Sequence, residues 1–409
     1  MSESNPFKIF QEAYDAYQIK SANIMVLGKS GVGKSTLINS FFRDSLAETG
    51  IGSPVTKNIK RFSKKDVPVA IYDTPGLELN GVTQQKLSEE IQDLIQKAAK
   101  GPDDSERMHL LWYCINANAN RIEQFEIDWI KELSQKVAVV IVLTQSHGKD
   151  SMTFKKYIDS LNLDVANVCR VLAFPYESSS GLIEPAFGLK TLAQVSFECL
   201  PEAYRIAFVN AQMVDIDRKV AMTNKAVIGY CATAFATGFV PLPMADSLML
   251  VPEQIAMMAH ITKMFGLPAD KAFLSYLVAT VTGTSGATVV GKIVAGNLLK
   301  LIPVVGTSIG GTVSGSTAAV ITGALGFGYI QVLAKIAEGI NRGEKYSNEQ
   351  IVTIVKTTFA SKLADKSFIK HLINQLKPKM KIDPALERKI NSEVKQLDQG
   401  SNSGWRWGK

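Results

Sequence analysis

The chain has 409 residues, of which 46% are hydrophobic and 20% charged, which excludes a disordered chain and predicts two domains rather than one core. Its four cysteines, Cys114, Cys169, Cys199 and Cys231, form no CxxC pair, which excludes a disulfide scaffold and a cysteine zinc site and suits a reducing compartment. The net charge of +7 is concentrated in residues 340–409, where 14 Lys and Arg face 7 Asp and Glu, a surplus suited to an anionic surface or to a solvated helical tail. Residues 1–20 carry Phe7, Ile9, Phe10, Tyr14 and Tyr17 at the spacing of a short amphipathic helix and lack the charged-then-apolar pattern of a secretory leader. Asn23–Leu27 reads as a compact strand leading into GKSGVGKST and a helix from Lys34. Strands follow at 58–63, 67–72, 109–115, 137–143 and 168–174, and helices at 83–99, 122–134, 153–162 and 189–200. Strands alternating with helices predict a parallel sheet covered on both faces.

Past Pro201 the alternation stops. Three stretches without charge, 226–245, 272–291 and 301–334, are separated and followed by amphipathic patterns at 246–265, 348–376 and 383–397. This half reads as all-helical. The domain reading is an N-terminal helical segment at 1–20, an α/β domain at 21–205 and a helical domain at 206–409. The run 301–334 is long enough to cross a bilayer, where about 20 apolar residues suffice, or to form a hairpin. It has small-xxx-small spacings at Gly306/Gly310 and Gly311/Gly315, but its first half is rich in Ser, Thr and Gly. A soluble bundle of closely packed helices, a peripheral or hairpin membrane contact, and a transmembrane domain all remain open. The terminal Trp405-Arg406-Trp407 suits either a membrane interface or a disordered tail.

The chemistry lies in the α/β half. Gly28-Lys29-Ser30-Gly31-Val32-Gly33-Lys34-Ser35-Thr36 is GxxxxGK[ST] placed after a strand and before a helix, as a phosphate-binding loop requires. Its glycines let backbone N–H groups converge on phosphate oxygens at a helix N-terminus. Lys34 would neutralise the outer phosphates, and the Ser35 hydroxyl would coordinate Mg²⁺. Asp73-Thr74-Pro75-Gly76 closes an apolar strand, so Asp73 is a second Mg²⁺ contact and the Gly76 N–H a contact to a terminal phosphate. Thr56, between the two motifs, is the candidate switch hydroxyl that closes on Mg²⁺. Lys34, Thr56 and Gly76 are the expected catalytic contacts, and Ser35, Thr56 and Asp73 the expected metal contacts.

On these motifs residues 20–205 resemble the GTPases of the Ras-like P-loop class, and glycine at the loop's fourth position, Gly31, looks like septins and immunity-related GTPases. The segment Leu111-Trp112-Tyr113-Cys114-Ile115-Asn116 is similar to the fourth strand of septin-related GTPases, and equally reads as a plain buried strand. The resemblance implies a Ras-like G domain with a mixed, mostly parallel sheet. It also implies GTP/GDP and Mg²⁺ as ligands and a switch cycle driven by GTP hydrolysis. Its base-reading motif, NKxD or TKxD, is altered here. Thr144 fits, Gln145 replaces the lysine, and His147 stands where the aspartate would bind guanine. A neutral imidazole accepts only one hydrogen bond, so guanine discrimination should be weakened unless Asp150 substitutes, and an adenine-specific site stays a weaker alternative. Ala173-Phe174 sits where the last base loop begins. After Gly76 comes Leu77, which cannot orient water as the glutamine of efficient relatives does, so turnover should be slow and completed from elsewhere, by a second copy across the nucleotide face or by the switch loop.

The glycine-rich half resembles the C-terminal helical domain of unknown function appended to many bacterial GTPases. The leading expectation is therefore a Mg²⁺-dependent, slowly hydrolysing GTP switch, cytoplasmic or peripheral to a membrane. Its helical half would associate with an anionic membrane or a protein partner, and no nucleic acid is expected. The alternative is a nucleotide-gated, membrane-active effector, pore-forming or immune, in which hydrolysis is secondary.

Overall fold

A computed structural model describes residues 6–42, 59–74, 81–100, 106–237, 252–267, 271–282 and 315–365, with 368, 374 and 376. The chain divides into two compact units, residues 18–215 and residues 1–17 with 216–409.

The first unit is built on β1 (Ala22–Gly28), β2 (Lys60–Lys64), β3 (Val67–Asp73), β4 (Leu110–Asn116), β5 (Val139–Thr144) and β6 (Asn167–Arg170). They form one six-stranded sheet in the order β2-β3-β1-β4-β5-β6. β2 runs antiparallel to β3, and every other pairing is parallel. The continuous apolar runs of β1 and β5 follow from burial on both faces, as a parallel sheet requires. The edge strand β2, KRFSK, carries lysines and is largely exposed, which blunts pairing with another chain.

Alternation along the strands sends each residue to one of two cores. Ile24, Val26, Trp112, Val140 and Val142 face α2 (Lys34–Phe41), α6 (Leu189–Cys199) and α7 (Glu202–Ala211), burying Leu37, Phe41, Leu192 and Phe208. Met25, Leu27, Leu111, Tyr113 and Ile141 face α3 (Gly81–Lys100), α4 (Gln124–Ser134) and α5 (Gly148–Ser160), burying Ile91, Ile95, Ile130 and Phe154. The Trp112 indole N–H donates to Ser196 Oγ at 3.0 Å, so the polar edge of a fully buried ring is satisfied.

Three boundaries differ from the sequence expectation. Pro201 does not end the unit; it is the N-cap of α7, whose Tyr204, Ala207, Phe208 and Ala211 are buried in the sheet's core. The unit therefore runs to Asp215 rather than 205. β6 stops at Arg170 rather than 174, because Leu172 turns to bridge Phe187, and a hairpin of β7 (Tyr176–Glu177) and β8 (Ile183–Glu184) follows. α5 begins at Gly148 rather than 153.

In the second unit every described element is a helix. α1 (Pro6–Ala16) packs with α8 (Ile216–Thr237), α9 (Pro252–Phe265), α10 (Lys271–Thr282), α11 (Gly315–Asn341) and α12 (Asn348–Ala364). The N-terminal helix is thus part of this unit: Phe10 is buried in the core that holds Ile255 and Met258, and Lys263 Nζ donates to the Tyr14 carbonyl at 2.7 Å. Lys219 is buried with its ammonium donating to the Phe265 carbonyl at 2.7 Å, a cation at the C-terminal end of α9 where the helix dipole favours it.

One helix among the described residues is long and apolar enough to cross a membrane, Ala318–Asn341, with mean hydropathy 1.5, and 89% of its most apolar window is buried in the unit. Glycines let its neighbours close in. A Cβ at Gly326 would lie 2.7 Å from Val227, and one at Gly328 would lie 2.8 Å from the Phe359 ring. The close approaches thus include Gly326 and Gly328. The expected ones at Gly306, Gly310 and Gly311, the helix at 383–397 and the terminal Trp405-Arg406-Trp407 lie outside the described residues.

Candidate functional site

The sheet order reverses at β1, whose neighbours are β3 on one side and β4 on the other, and ligands of open α/β sheets gather at the strand C-termini of such a point. The loop Gly28–Gly33 leaves β1 there and enters α2 at Lys34. Gly28, Gly31 and Gly33 have φ of 143°, 72° and 92°, so three of its residues take backbone conformations that side chains resist. Gly28 is also sterically required, since a Cβ there would sit 2.3 Å from the Cys114 carbonyl oxygen. Ser30 and Val32 fill the loop between these glycines, and Ser35 and Thr36 lie in the first turn of α2.

Lys34 is 9% exposed, and its ammonium donates to the carbonyls of Gly28 at 2.8 Å and Lys29 at 3.0 Å, folded back over the loop it follows. Asp73 ends β3 opposite Val26 of β1 and is buried, while Thr74 Oγ1 donates to the Val26 carbonyl at 3.1 Å. Lys34 and Asp73 both act electrostatically on Cys114, whose thiol burial pushes up to about 12. The cation, the carboxylate and the loop therefore share one end of the sheet. Thr56, Gly76 and Leu77 lie outside the described residues.

The hydroxyl of Ser35 and the carboxylate of Asp73 are hard oxygen donors of the kind Mg²⁺ takes when phosphates and water complete its shell. No cluster of three His, Cys, Asp or Glu able to hold a metal alone occurs among the described residues. That chemistry fits a Mg²⁺ carried with a phosphate ligand, which Ser35 and Asp73 would hold.

The loop after β5 is fastened to the phosphate loop. Thr144 Oγ1 lies 2.6 Å from the Val32 carbonyl and 3.1 Å from the Ile115 carbonyl. Gln145, at φ 51°, donates from Nε2 to the Gly31 carbonyl at 3.1 Å, and its own carbonyl accepts from Asn118 Nδ2 at 2.6 Å. Ser146 is buried, and its N–H donates to the Val171 carbonyl at 3.1 Å. His147 is the N-cap of α5, and its ring lies on the Tyr176 ring, centroids 3.7 Å apart and planes 8° apart. Asp150 sits in the first turn of α5. Ala173 and Phe174 form the bend between β6 and the hairpin, with Ala173 half-buried and Phe174 60% exposed.

Four groups at the site were not expected from the sequence. Lys29 is ion-paired to Glu123 at 2.7 Å and to the buried Glu126 at 3.0 Å. Burial pulls the Lys29 ammonium down, but its bonds to Glu123 and Glu126 outweigh this and leave it raised, while Lys29 holds Glu123 below the usual carboxylate range. These acids form a capping box at the start of α4, so an ExxE spacing before an apolar run was the available signal. The hairpin residues Tyr176 and Glu184 are the other two. Glu184 accepts the Gly148 N–H, Oε2 at 2.9 Å and Oε1 at 3.3 Å. No local motif marks these two, because a two-residue strand carries almost no periodicity.

Residues 23–145 match the family described as 50S ribosome-binding GTPase. Over 163 residues the chain is 28% identical to Septin-9 of Rattus norvegicus, an alignment covering 33% of this chain and 28% of that protein. It is 26% identical over 145 residues to GTPase Era of Clostridium tetani, covering 34% of this chain and 47% of the relative. The chain thus spans less than half the length of either. Among solved structures, the septin GTPase domain from Chlamydomonas reinhardtii is 18% identical with a TM-score of 0.31, covering 47% of this chain and 92% of that one.

Proposed function

We propose that this chain, whose residues 23–145 match the family described as 50S ribosome-binding GTPase, is a Mg²⁺-dependent guanine-nucleotide switch that hydrolyses GTP slowly. The observation that carries this reading is the loop itself. A buried strand delivers three positive-φ glycines to a helix N-terminus, and the Lys34 ammonium is folded over that loop, where a bound phosphate would take over its carbonyl contacts. Ser35 and Asp73 would supply metal contacts, with Thr56 and Gly76 answering the third phosphate. Slow turnover follows from Leu77, because an alkyl side chain cannot orient water.

A second copy across the nucleotide face is the proposed source of the missing group. In support, the described large apolar residues that stay exposed, Met152, Tyr157, Phe174, Tyr176, Leu182 and Ile183, all lie on α5 and on the segment around the hairpin, beside the base loop. The helical unit is read as the half that meets an anionic membrane surface or a helical partner from the cytoplasmic side. That reading rests on the basic surplus of residues 340–409 rather than on α11, whose apolar window is already covered.

Denaturing the purified protein and chromatographing what it releases identifies the nucleotide, and GDP or GTP is expected. Calorimetry of Lys34→Ala should lose most triphosphate affinity; unchanged binding would defeat the proposal. Specific activity should rise with protein concentration. Co-sedimentation with anionic vesicles, compared between GDP and a non-hydrolysable GTP analogue, tests the helical half.

A further inference from the structure

We propose that Glu184 is the acid that reads the guanine base, replacing from the hairpin the carboxylate that position 147 lacks; this rests on the guanine-nucleotide reading above. Tyr176 and Glu184 are direct cross-strand partners in the β7–β8 pair, so their side chains leave the hairpin on one face. Both meet the base loop at consecutive residues. The Tyr176 ring covers the His147 imidazole, and the Glu184 carboxylate reaches the Gly148 N–H. The hairpin therefore both occupies the histidine and sets a carboxylate one residue beyond the position where an aspartate is expected.

The chemistry then separates the candidates. Guanine offers two adjacent donors, N1–H and the 2-amino group, and needs two acceptors side by side. A neutral imidazole has one acceptor, and the His147 ring lies flat on Tyr176. An ionised carboxylate has roughly four acceptor positions, of which the single Gly148 N–H takes a minor share. The loop facing it is tied to the phosphate loop. Thr144 and Gln145 are bonded to the phosphate loop at Val32 and Gly31, so a nucleotide whose phosphates sit in that loop has its base end fixed relative to residues 145–148. Adenine presents an acceptor at N1 where guanine has a donor, so it cannot pair with this carboxylate as guanine does, and a site built to accept two hydrogen bonds discriminates against the base that lacks the donor.

The test is competition of GDP, XDP and ADP against a fluorescent guanine nucleotide, with wild type, Glu184→Gln, His147→Ala and Glu177→Gln. A carboxamide accepts once and donates once, so it suits xanthine, which carries a carbonyl where guanine has its amino group. Glu184→Gln should weaken GDP at least about tenfold and strengthen XDP, a gain that misfolding cannot mimic. His147→Ala and the hairpin control Glu177→Gln should keep the wild-type order of preference. An unchanged GDP-to-XDP ratio in Glu184→Gln, beside a wild type that prefers guanine, overturns the assignment and leaves the switch reading intact. Wild type that binds nucleotide without preferring guanine also overturns it. Loss of preference in His147→Ala alone moves the role to the histidine. A wild type that binds no nucleotide removes the guanine-nucleotide reading and this assignment together.

Discussion

The phosphate loop and the long helix α11 use glycine for opposite purposes. In residues 18–215 the informative glycines hold left-handed or otherwise strained backbone: Gly28, Gly31 and Gly33 at the phosphate loop, and Gly188 at φ 86° before α6. In the helical unit Gly326 and Gly328 sit inside an ordinary helix and serve by lacking a side chain. A backbone glycine is fixed by its neighbours in sequence and so forms a motif. A packing glycine is fixed by residues a hundred positions away, as Gly326 is by Val227, and leaves only a composition.

The sharpest way to break this comparison is to substitute one glycine of each kind. Gly28→Val adds strain at φ 143° and drives a Cβ to 2.3 Å from the rigid Cys114 carbonyl. A loss of about 4 kcal/mol or more is expected, with hydrogen-exchange protection lost along β1 and β4. Gly326→Leu meets the side chains of Val227 and Met257 rather than backbone, so the expected loss is about 1–3 kcal/mol, with protection falling in α8 and α11. Equal losses at the two sites would show that the distinction is empty.

A smaller effect separates the polar groups of the two cores. Tyr329 is fully buried in the helical unit with its hydroxyl 2.7 Å from Thr262 Oγ1, and burial raises its phenol far above the ordinary value. Tyr329→Phe should cost about 1 kcal/mol in urea unfolding, as a single neutral hydrogen bond does. Trp112→Phe should cost more, because it removes the bond to Ser196 and also leaves a void in the sheet's core. The reverse order would mean that the helical core is the more tightly specified of the two.

How much the sequence discloses follows the same division. The sheet and the phosphate loop were readable because β1, β4 and β5 are continuous apolar runs and GKSGVGKST is a local pattern, whereas the mixed direction followed only from the resemblance to Ras-like P-loop GTPases. Membership of α7 in the first unit was hidden by Pro201, which reads as a breaker and acts as an N-cap. The early start of α5 was hidden because His147 makes no capping bond of its own; the Gly148 N–H is taken by Glu184, from a strand 36 residues on. The charge-free stretch of α11 could not reveal its partner, since bilayer and protein core reward the same composition.

The weakest expected effect concerns the contact that ties the phosphate loop to α4. Lys29 holds Glu123 below the ordinary carboxylate value of 4.5, and Glu123 is half exposed, so solvent screening leaves this pair no more than about 0.5 kcal/mol. The sign follows from proton uptake. A carboxyl whose folded value is depressed binds protons more readily when unfolded, so its stabilisation is complete above the unfolded value and is lost as pH falls through the folded one. Glu123→Gln should therefore lower the urea midpoint slightly at pH 7, and the two curves should converge below the folded value of Glu123. Lys29 keeps its bond to the buried Glu126 in that variant, so the loop stays tethered and nucleotide affinity should change little. Lys29→Met breaks both bonds and leaves the buried Glu126 with only the Glu123 N–H and the Tyr113 hydroxyl as partners among the described residues, so its loss in urea midpoint should be larger and less sensitive to salt than that of Glu123→Gln. Equal effects of the two substitutions would place the tether at Glu123 and deny the buried acid its role.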